Sequence, residues 1–285
     1  MREHFIKQVF EATNKTFPFE FLEKNIQLSK QDLSNNLIQM GVLPEVFAHD
    51  SSEEKNWAKL SDIILSQALN FLGIESEVLR ARGNSAYVFG KTKNYTIVGD
   101  AKTFRLSRTA KNQKDFKIKA LDDWRKENTF AILVSPLAQY PTNSSQIYTQ
   151  AIEKNVTLLS YLHLQLLLES EKISNLETLW KTGIDLQQKL PKNDWNKSKI
   201  YWQEINQNVC NVTNVDISVL DKYKQKEIEI TQSLGLEGID YWQNTIENYK
   251  KLSKEEAIKK LIKAEKIENK IVTIKKAIKF KEIAV

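Results

Sequence analysis

The sequence predicts an α/β protein in which a mixed-sheet core is embedded in extensive N- and C-terminal helices. Three observations predict it. Short runs in which apolar side chains alternate, Val78-Leu79, Tyr87-Val88-Phe89 and Thr96-Ile97-Val98-Gly99, succeed one another closely, as half-buried strands do. The run Phe130-Ala131-Ile132-Leu133-Val134 is continuously apolar, the pattern of a strand covered on both faces. Outside this region the apolar residues recur at helical spacing.

Taken in order, the first fifty residues read as helices. Phe5, Ile6, Val9 and Phe10 form one apolar face, and Leu33, Leu37, Ile38 and Met40 form another, with Ser29 as N-cap and Gly41 as stop. Ser52 to Phe71 reads as a longer helix, capped by Ser51 or Ser52, with Glu53 and Glu54 in its first turn. Asp62 lies near its apolar stripe, either as an exposed helical acid or as a core acid aimed at a site. The three strands come next, separated at Arg82-Gly83-Asn84 and Lys91-Thr92-Lys93-Asn94, whose glycine and asparagines suit turns. A helix from Asn112 to Trp124, the buried strand ended by Pro136, a helix from Ser145 to Lys154 and a strand from Val156 to Ser160 complete a hairpin followed by βαβ units. Beyond residue 161 the chain turns helical again. Trp180, Trp195, Trp202 and Trp242 recur there, read as packing aromatics, and a lysine-rich amphipathic end begins at Ser253.

The chemistry gathers at the end of the third strand, where Asp100-Ala101-Lys102 comes directly after the alternating run. Side chains two apart in a strand point the same way. Asp100 and Lys102 therefore stand side by side while Ala101 turns into the core. A carboxylate beside an ammonium suits metal-assisted phosphodiester hydrolysis: the carboxylate holds a hard cation, and the lysine positions water or stabilises charge growing on the phosphate. Alone, the triplet is a weak signal that reads first as a surface ion pair at a strand end. The next stretch of chain adds weight, because Arg105, Arg108, Lys111, Lys114, Lys117 and Lys119 come with Asp115 as the only acid. Thr103, Ser107, Thr109, Asn112 and Gln113 are interleaved among them and suit phosphate or base-edge contacts. The competing reading is a solvated helix face with Lys111, Asp115 and Lys119 as a charged ladder.

The run from Asp100 to Leu121, DAKTFRLSRTAKNQKDFKIKAL, closely resembles the corresponding segment of the HindIII-type restriction endonucleases, a type II family of the PD-(D/E)xK nuclease superfamily. Further patches resemble it: Gly41-Val42-Leu43-Pro44-Glu45, Asp62-Ile63-Ile64-Leu65, Arg82-Gly83-Asn84, Gln139-Tyr140-Pro141-Thr142, Ser145-Gln146-Ile147 and Glu255-Glu256-Ala257-Ile258. The resemblance implies a single domain over 1–285, with N-terminal helices to about 50, a nuclease core to about 170 and a helical remainder. It also implies a Mg2+-dependent endodeoxyribonuclease that cuts a short palindrome in double-stranded DNA, AAGCTT after the first A. Asp100 and Lys102 take the catalytic positions, and Arg82, Asn84, Arg105, Arg108, Lys111, Asn112, Gln113 and Lys114 contact DNA. A two-fold site calls for a homodimer. A methyltransferase is expected in the same restriction–modification system, though not as a stable complex.

One departure stands out. The superfamily's first acid normally lies on the strand before the D/E-x-K strand, but no carboxylate occurs between Glu77 and Asp100, and Ser85-Ala86-Tyr87 stands where relatives offer Gly-Asp. Either a second acid comes from elsewhere or the enzyme is impaired. Asp115 is preferred as the second catalytic and metal-binding acid because it lies within the near-matching run. Asp62 is also placed among the metal ligands, and Glu77 and Glu54 remain candidates.

Composition agrees with a cytoplasmic DNA-binding protein. Charged residues are 27% of the 285 and mean hydropathy is −0.46, with no apolar run near the roughly 20 residues that span a bilayer. The start, MREHFIKQVFEATNK, does not read as a signal peptide. A lone Cys210 allows no internal disulfide, and His4, His49 and His163 lack zinc-ligand spacing. Residues 91–119 carry +7 and residues 250–285 another +7, whereas the whole chain is +6, which leaves −8 for the remainder. Two basic zones on an otherwise acidic chain favour a localised anionic partner. A non-catalytic DNA-binding protein is the alternative function.

Overall fold

The computed structural model describes residues 1–80, 87–108, 115–141 and 144–278. It forms two compact units, 1–236 and 237–285. The first unit opens with α1 (Arg2–Thr13), α2 (Pro18–Asn25), α3 (Lys30–Met40) and α4 (Ser52–Phe71). Ser29 Oγ accepts from Asp32 N and Ser51 Oγ from Glu54 N, so both expected serine caps satisfy amides that a helix start leaves orphaned. In α1 the core face is Phe5, Val9 and Ala12; Phe10 turns outward.

A five-stranded sheet carries the unit, with order β1 (Glu75–Val78), β2 (Val88–Lys91), β3 (Thr96–Ala101), β4 (Phe130–Val134), β5 (Val156–Leu159). The first three strands are antiparallel and the last three parallel, the mixed sheet expected from hairpins followed by βαβ units. β4 and β5 are buried along their whole lengths, as their unbroken apolar runs require. The connections are α5 (Ile118–Arg125) between β3 and β4, and α6 (Gln146–Glu153) between β4 and β5. After β5 the chain forms α7 (Tyr161–Glu169), α8 (Glu177–Trp180), α9 (Thr182–Lys189), α10 (Ser198–Thr213) and α11 (Ile217–Lys250). α7 is buried on nearly every side, which accounts for its leucine density. Trp180 is fully buried and Trp195 and Trp202 pack on the core, whereas Trp242, in the second unit, is 46% exposed.

The helix expected from Asn112 to Trp124 needs correction. Residues 109–114 lie outside the described residues, and α5 begins only at Ile118. Lys117, its N-cap, has φ +46°, a left-handed conformation that ends any helix arriving from before it. Asp115 and Lys119 therefore do not share a helix, and the charged ladder does not form.

The second unit holds the end of α11, α12 (Lys254–Ala264), opened by a Ser253–Glu256 capping box, and α13 (Ile267–Ile278). Among the described residues no helix is long and apolar enough to cross a membrane.

Gly41 ends α3 as expected, yet its φ of −69° needs no glycine. The need is space: a Cβ there would stand 2.5 Å from Pro136 Cγ and 2.8 Å from Tyr161 Cε2. Gly41→Ala should therefore destabilise the protein by about 1–3 kcal/mol through overpacking. Urea unfolding should show a lower midpoint with an unchanged slope, and an unmoved midpoint would mean that Pro136 and Tyr161 yield freely.

Candidate active site

β3 delivers Asp100 and Lys102 to one end of the sheet, where its parallel pairing with β4 finishes at Ala101–Val134 and continues as a Lys102 N–H bond to Val134 O of 2.7 Å. Lys102 Nζ lies 2.6 Å from Asp100 Oδ2, and Ala101 between them is buried. Asp100 is 1% exposed. Its Oδ2 receives no well-directed hydrogen bond, so the lysine contact acts as an ion pair at close range and leaves acceptor capacity in a dry site. Burial works against the charge on Lys102, but the Asp100 carboxylate, helped by Asp62, outweighs it and raises the ammonium's pKa.

The third polar side chain comes from α4. Gly99 permits close approach there, since a Cβ would lie 3.1 Å from Leu65 Cδ2 of that helix. Asp62 is consequently 4% exposed, and its Oδ1 accepts the Ala101 N–H at 3.3 Å. Burial, then the charge of Asp100, push the Asp62 carboxyl up to about 8, although Lys59, the Ala101 amide and Lys102 pull it down. Of the two readings the sequence left open, Asp62 is the core acid.

Residues not foreseen complete the surroundings. Lys59, one turn before Asp62 on α4, places Nζ 3.8 Å from Asp62 Oδ2 and 4.1 Å from the Tyr87 ring centre. Tyr87 also faces Lys102 at 5.9 Å. Tyr161, the first residue of α7, donates its hydroxyl to Lys102 O at 3.0 Å. The only sequence signal for Lys59 was its i, i+3 spacing to Asp62, which is common on exposed helices.

The other expected site residues are engaged elsewhere. The Asp115 carboxylate is held by Arg108, whose guanidinium lies 4.3 Å from the Phe104 ring centre. Arg105 is locked inward: it donates to Pro44 O and Ala48 O at 3.2 and 3.3 Å and pairs with Glu54 at 3.4 Å and Glu45 at 3.9 Å. Glu54 is thus Arg105's partner, and Glu77 is exposed on β1. Arg82, Asn84, Lys111, Asn112, Gln113 and Lys114 lie outside the described residues.

Among the described residues no three His, Cys, Asp or Glu side chains gather as a cation site. Two carboxylates do stand together, Asp62 and Asp100, both buried, with Asp100 Oδ2 against the Lys102 ammonium. That donor set fits a hard cation of the Mg2+ kind, which uses one or two carboxylates and completes its shell with water and substrate phosphates.

Comparison with known proteins gives this geometry a family. The model of the HindIII restriction endonuclease family matches residues 9–278. The chain belongs to the HindIII restriction endonuclease family. It is 36% identical over 284 residues to the type II restriction enzyme HindIII of Haemophilus influenzae, covering 97% of this chain and 92% of that one. As a HindIII-family member it is a DNA endonuclease, a hydrolase. The patches that carried the resemblance also explain themselves in space. The Gly41–Glu45 stretch clasps the chain just after Lys102, with Phe104 N–H on Gly41 O at 3.0 Å, Leu43 N–H on Phe104 O at 3.1 Å and the Ser107 hydroxyl on Glu45 at 2.9 Å. Tyr140, in another patch, donates to Leu133 O and Leu159 O near the ends of β4 and β5.

The raised Asp62 value implies a pH dependence in the metal-free protein. The fold prefers the neutral acid, so this stability is fully present below the ordinary carboxyl value of 3.8 and is lost as pH rises through about 8. Urea unfolding in chelator should show stability falling between pH 5 and 9, and Asp62→Asn should flatten the fall. Equal slopes in both proteins would remove Asp62 as its source.

Proposed function

We propose that this protein is a type II restriction endonuclease that hydrolyses phosphodiester bonds within a short palindromic site in double-stranded DNA, dependent on Mg2+, as the nuclease of a restriction–modification system. The carrying observation is the buried Asp62–Asp100–Lys102 group at the end of the sheet in a chain of the HindIII restriction endonuclease family. The family resemblance carries the proposed target, AAGCTT cut after the first A. A palindrome presents two equivalent strands, so two copies of the chain are needed to cut both; the working form is a homodimer. A cytoplasmic location and a separate DNA methyltransferase belong to the same reading.

In this mechanism Asp100 and Asp62 are the residues that would hold Mg2+, with Asp62 in its ionised form. When bound, Mg2+ supplies Lewis-acid polarisation of the phosphate and counter-charge for the transition state. Lys102 donates to the attacking water or to the phosphate oxygen on which charge grows, and Tyr161 holds the Lys102 backbone in register. Water oxygen bonds to phosphorus as the bond from phosphorus to the leaving deoxyribose oxygen breaks; the water's proton passes to solvent and the leaving oxygen takes one up from it. Asp62 thereby takes over the role expected of an acid on the preceding strand, and Asp115 serves Arg108. Arg105 anchors the 44–54 segment instead of gripping phosphate. Lys111 and Lys114 remain the proposed phosphate contacts, and Asn112 and Gln113 the proposed base readers.

Incubation with plasmid and Mg2+, then sequencing of the cut ends, tests the activity and the site together. Discrete fragments support the reading; a gel shift without cleavage favours a non-catalytic DNA-binding protein. Lys102→Ala and Asp100→Asn should each lower cleavage at least about 100-fold with DNA affinity nearly kept, because they remove contacts made in the transition state. Near-wild-type rates would move the chemistry elsewhere.

A Mg2+ series separates the two acids. Asp62→Asn should cut slowly and need more Mg2+, whereas Asp115→Asn should leave the Mg2+ dependence unshifted. The reverse pattern would return the metal-binding role to Asp115.

A further inference from the structure

A second ammonium stands beside the buried acids. Lys59 Nζ lies 3.8 Å from Asp62 Oδ2, close enough for charge attraction and too far for a hydrogen bond. Among the described residues Lys59 donates no hydrogen bond at all. What seats its head is aromatic: the Tyr87 ring centre at 4.1 Å and the Phe19 ring centre at 6.0 Å. A ring attracts a cation through the charge of its π face. The charge of Lys59 is therefore fixed in place while its three N–H donors stay unspent.

Position and exposure give those donors a direction. Tyr87 comes just before β2 and its N–H bonds Gly99 O at 3.3 Å, which sets it at the Asp100 end of β3. Lys102 Nζ meets the same ring from 5.9 Å, so both ammoniums face one aromatic. The Lys59 side chain is 35% exposed, against 17% for Lys102 and 5% for Asp62, which makes it the most open of these polar groups. An anion approaching the two acids meets it first. The substrate of a DNA endonuclease is such an anion, and its phosphate oxygens gain charge as water attacks phosphorus. Charge compensation of Asp62 accounts for neither the aromatic seat nor the unspent donors. A lysine with that task closes to contact, as Lys102 does on Asp100 at 2.6 Å.

We propose that Lys59 is a second catalytic lysine of this enzyme, its ammonium seated on Tyr87 and donating to a non-bridging oxygen of the scissile phosphate, with Tyr87 as its positioning residue. This rests on the endonuclease reading of the Asp62–Asp100–Lys102 site. The proton stays on nitrogen throughout; the contact strengthens as charge builds on the phosphate oxygen. In single-turnover cleavage of plasmid at saturating Mg2+, Lys59→Gln should be at least roughly 30-fold slower, with the Mg2+ midpoint unmoved. Lys59→Arg should recover part of that loss. Tyr87→Leu should share it and Tyr87→Phe should not, because the ring seats the ammonium and the hydroxyl does not. A wild-type rate for Lys59→Gln at saturating Mg2+ overturns the proposal, whether or not the Mg2+ midpoint shifts, since the lysine would then at most balance Asp62. Binding gives a readout independent of cutting. In the Lys102→Ala protein, which spares the DNA, adding Lys59→Gln should lower by roughly one the slope of log affinity against log salt for a duplex carrying AAGCTT. An unchanged slope overturns the phosphate contact. A lowered slope beside a wild type that cuts nothing supports that contact and sinks the endonuclease reading alone.

Discussion

The hydrogen bond from the Ala101 amide to the Asp62 carboxylate is the constraint on which the site depends. It joins α4 to the end of β3 across 39 residues and brings two acids together under a helix, where neither has much water. Close approach at Gly99 permits it; the resulting burial pushes Asp62 toward neutrality, while the Asp100 carboxylate keeps Lys102 charged against that burial. Asp100 in turn is covered by the lysine. Replacement of Gly99 by any larger residue would reach the site without touching it.

The basic residues divide by what surrounds them. Lys102 belongs to the carboxylates, while Arg105 and Arg108 belong to the scaffold that holds the chain after β3 against the 41–54 segment. The terminal nitrogens of Arg105, held on two carbonyls and two carboxylates, have little left to give a phosphate. The net charge of this region therefore overstates what DNA feels.

Much of the architecture was legible because it is written in periodicity. The alternating runs became antiparallel β1 to β3, the unbroken run became the buried β4, and the spacing of Asp100 and Lys102 put them side by side. Legibility failed where one residue type hides its backbone state or its partner. Nothing in a lysine announces a left-handed φ, so the break at Lys117 read as continuous helix from Asn112 to Trp124. The inward anchoring of Arg105 was invisible because its acceptors lie about sixty residues away. Asp62 was visible as an acid near an apolar stripe, but its burial against Ala101 is a tertiary fact.

The end of β3 also carries a hidden instability. A buried carboxylate with an unsatisfied oxygen, a second acid forced toward neutrality and a lysine drawn in to compensate form an arrangement that a well-packed apolar cluster of similar volume often improves upon. Selection for heat resistance alone, by random mutagenesis and survival, would therefore enrich substitutions at positions 62, 100 and 102. On the proposed mechanism it would deliver hardier proteins that no longer cut DNA, so thermostabilising libraries for this chain should hold these three positions fixed.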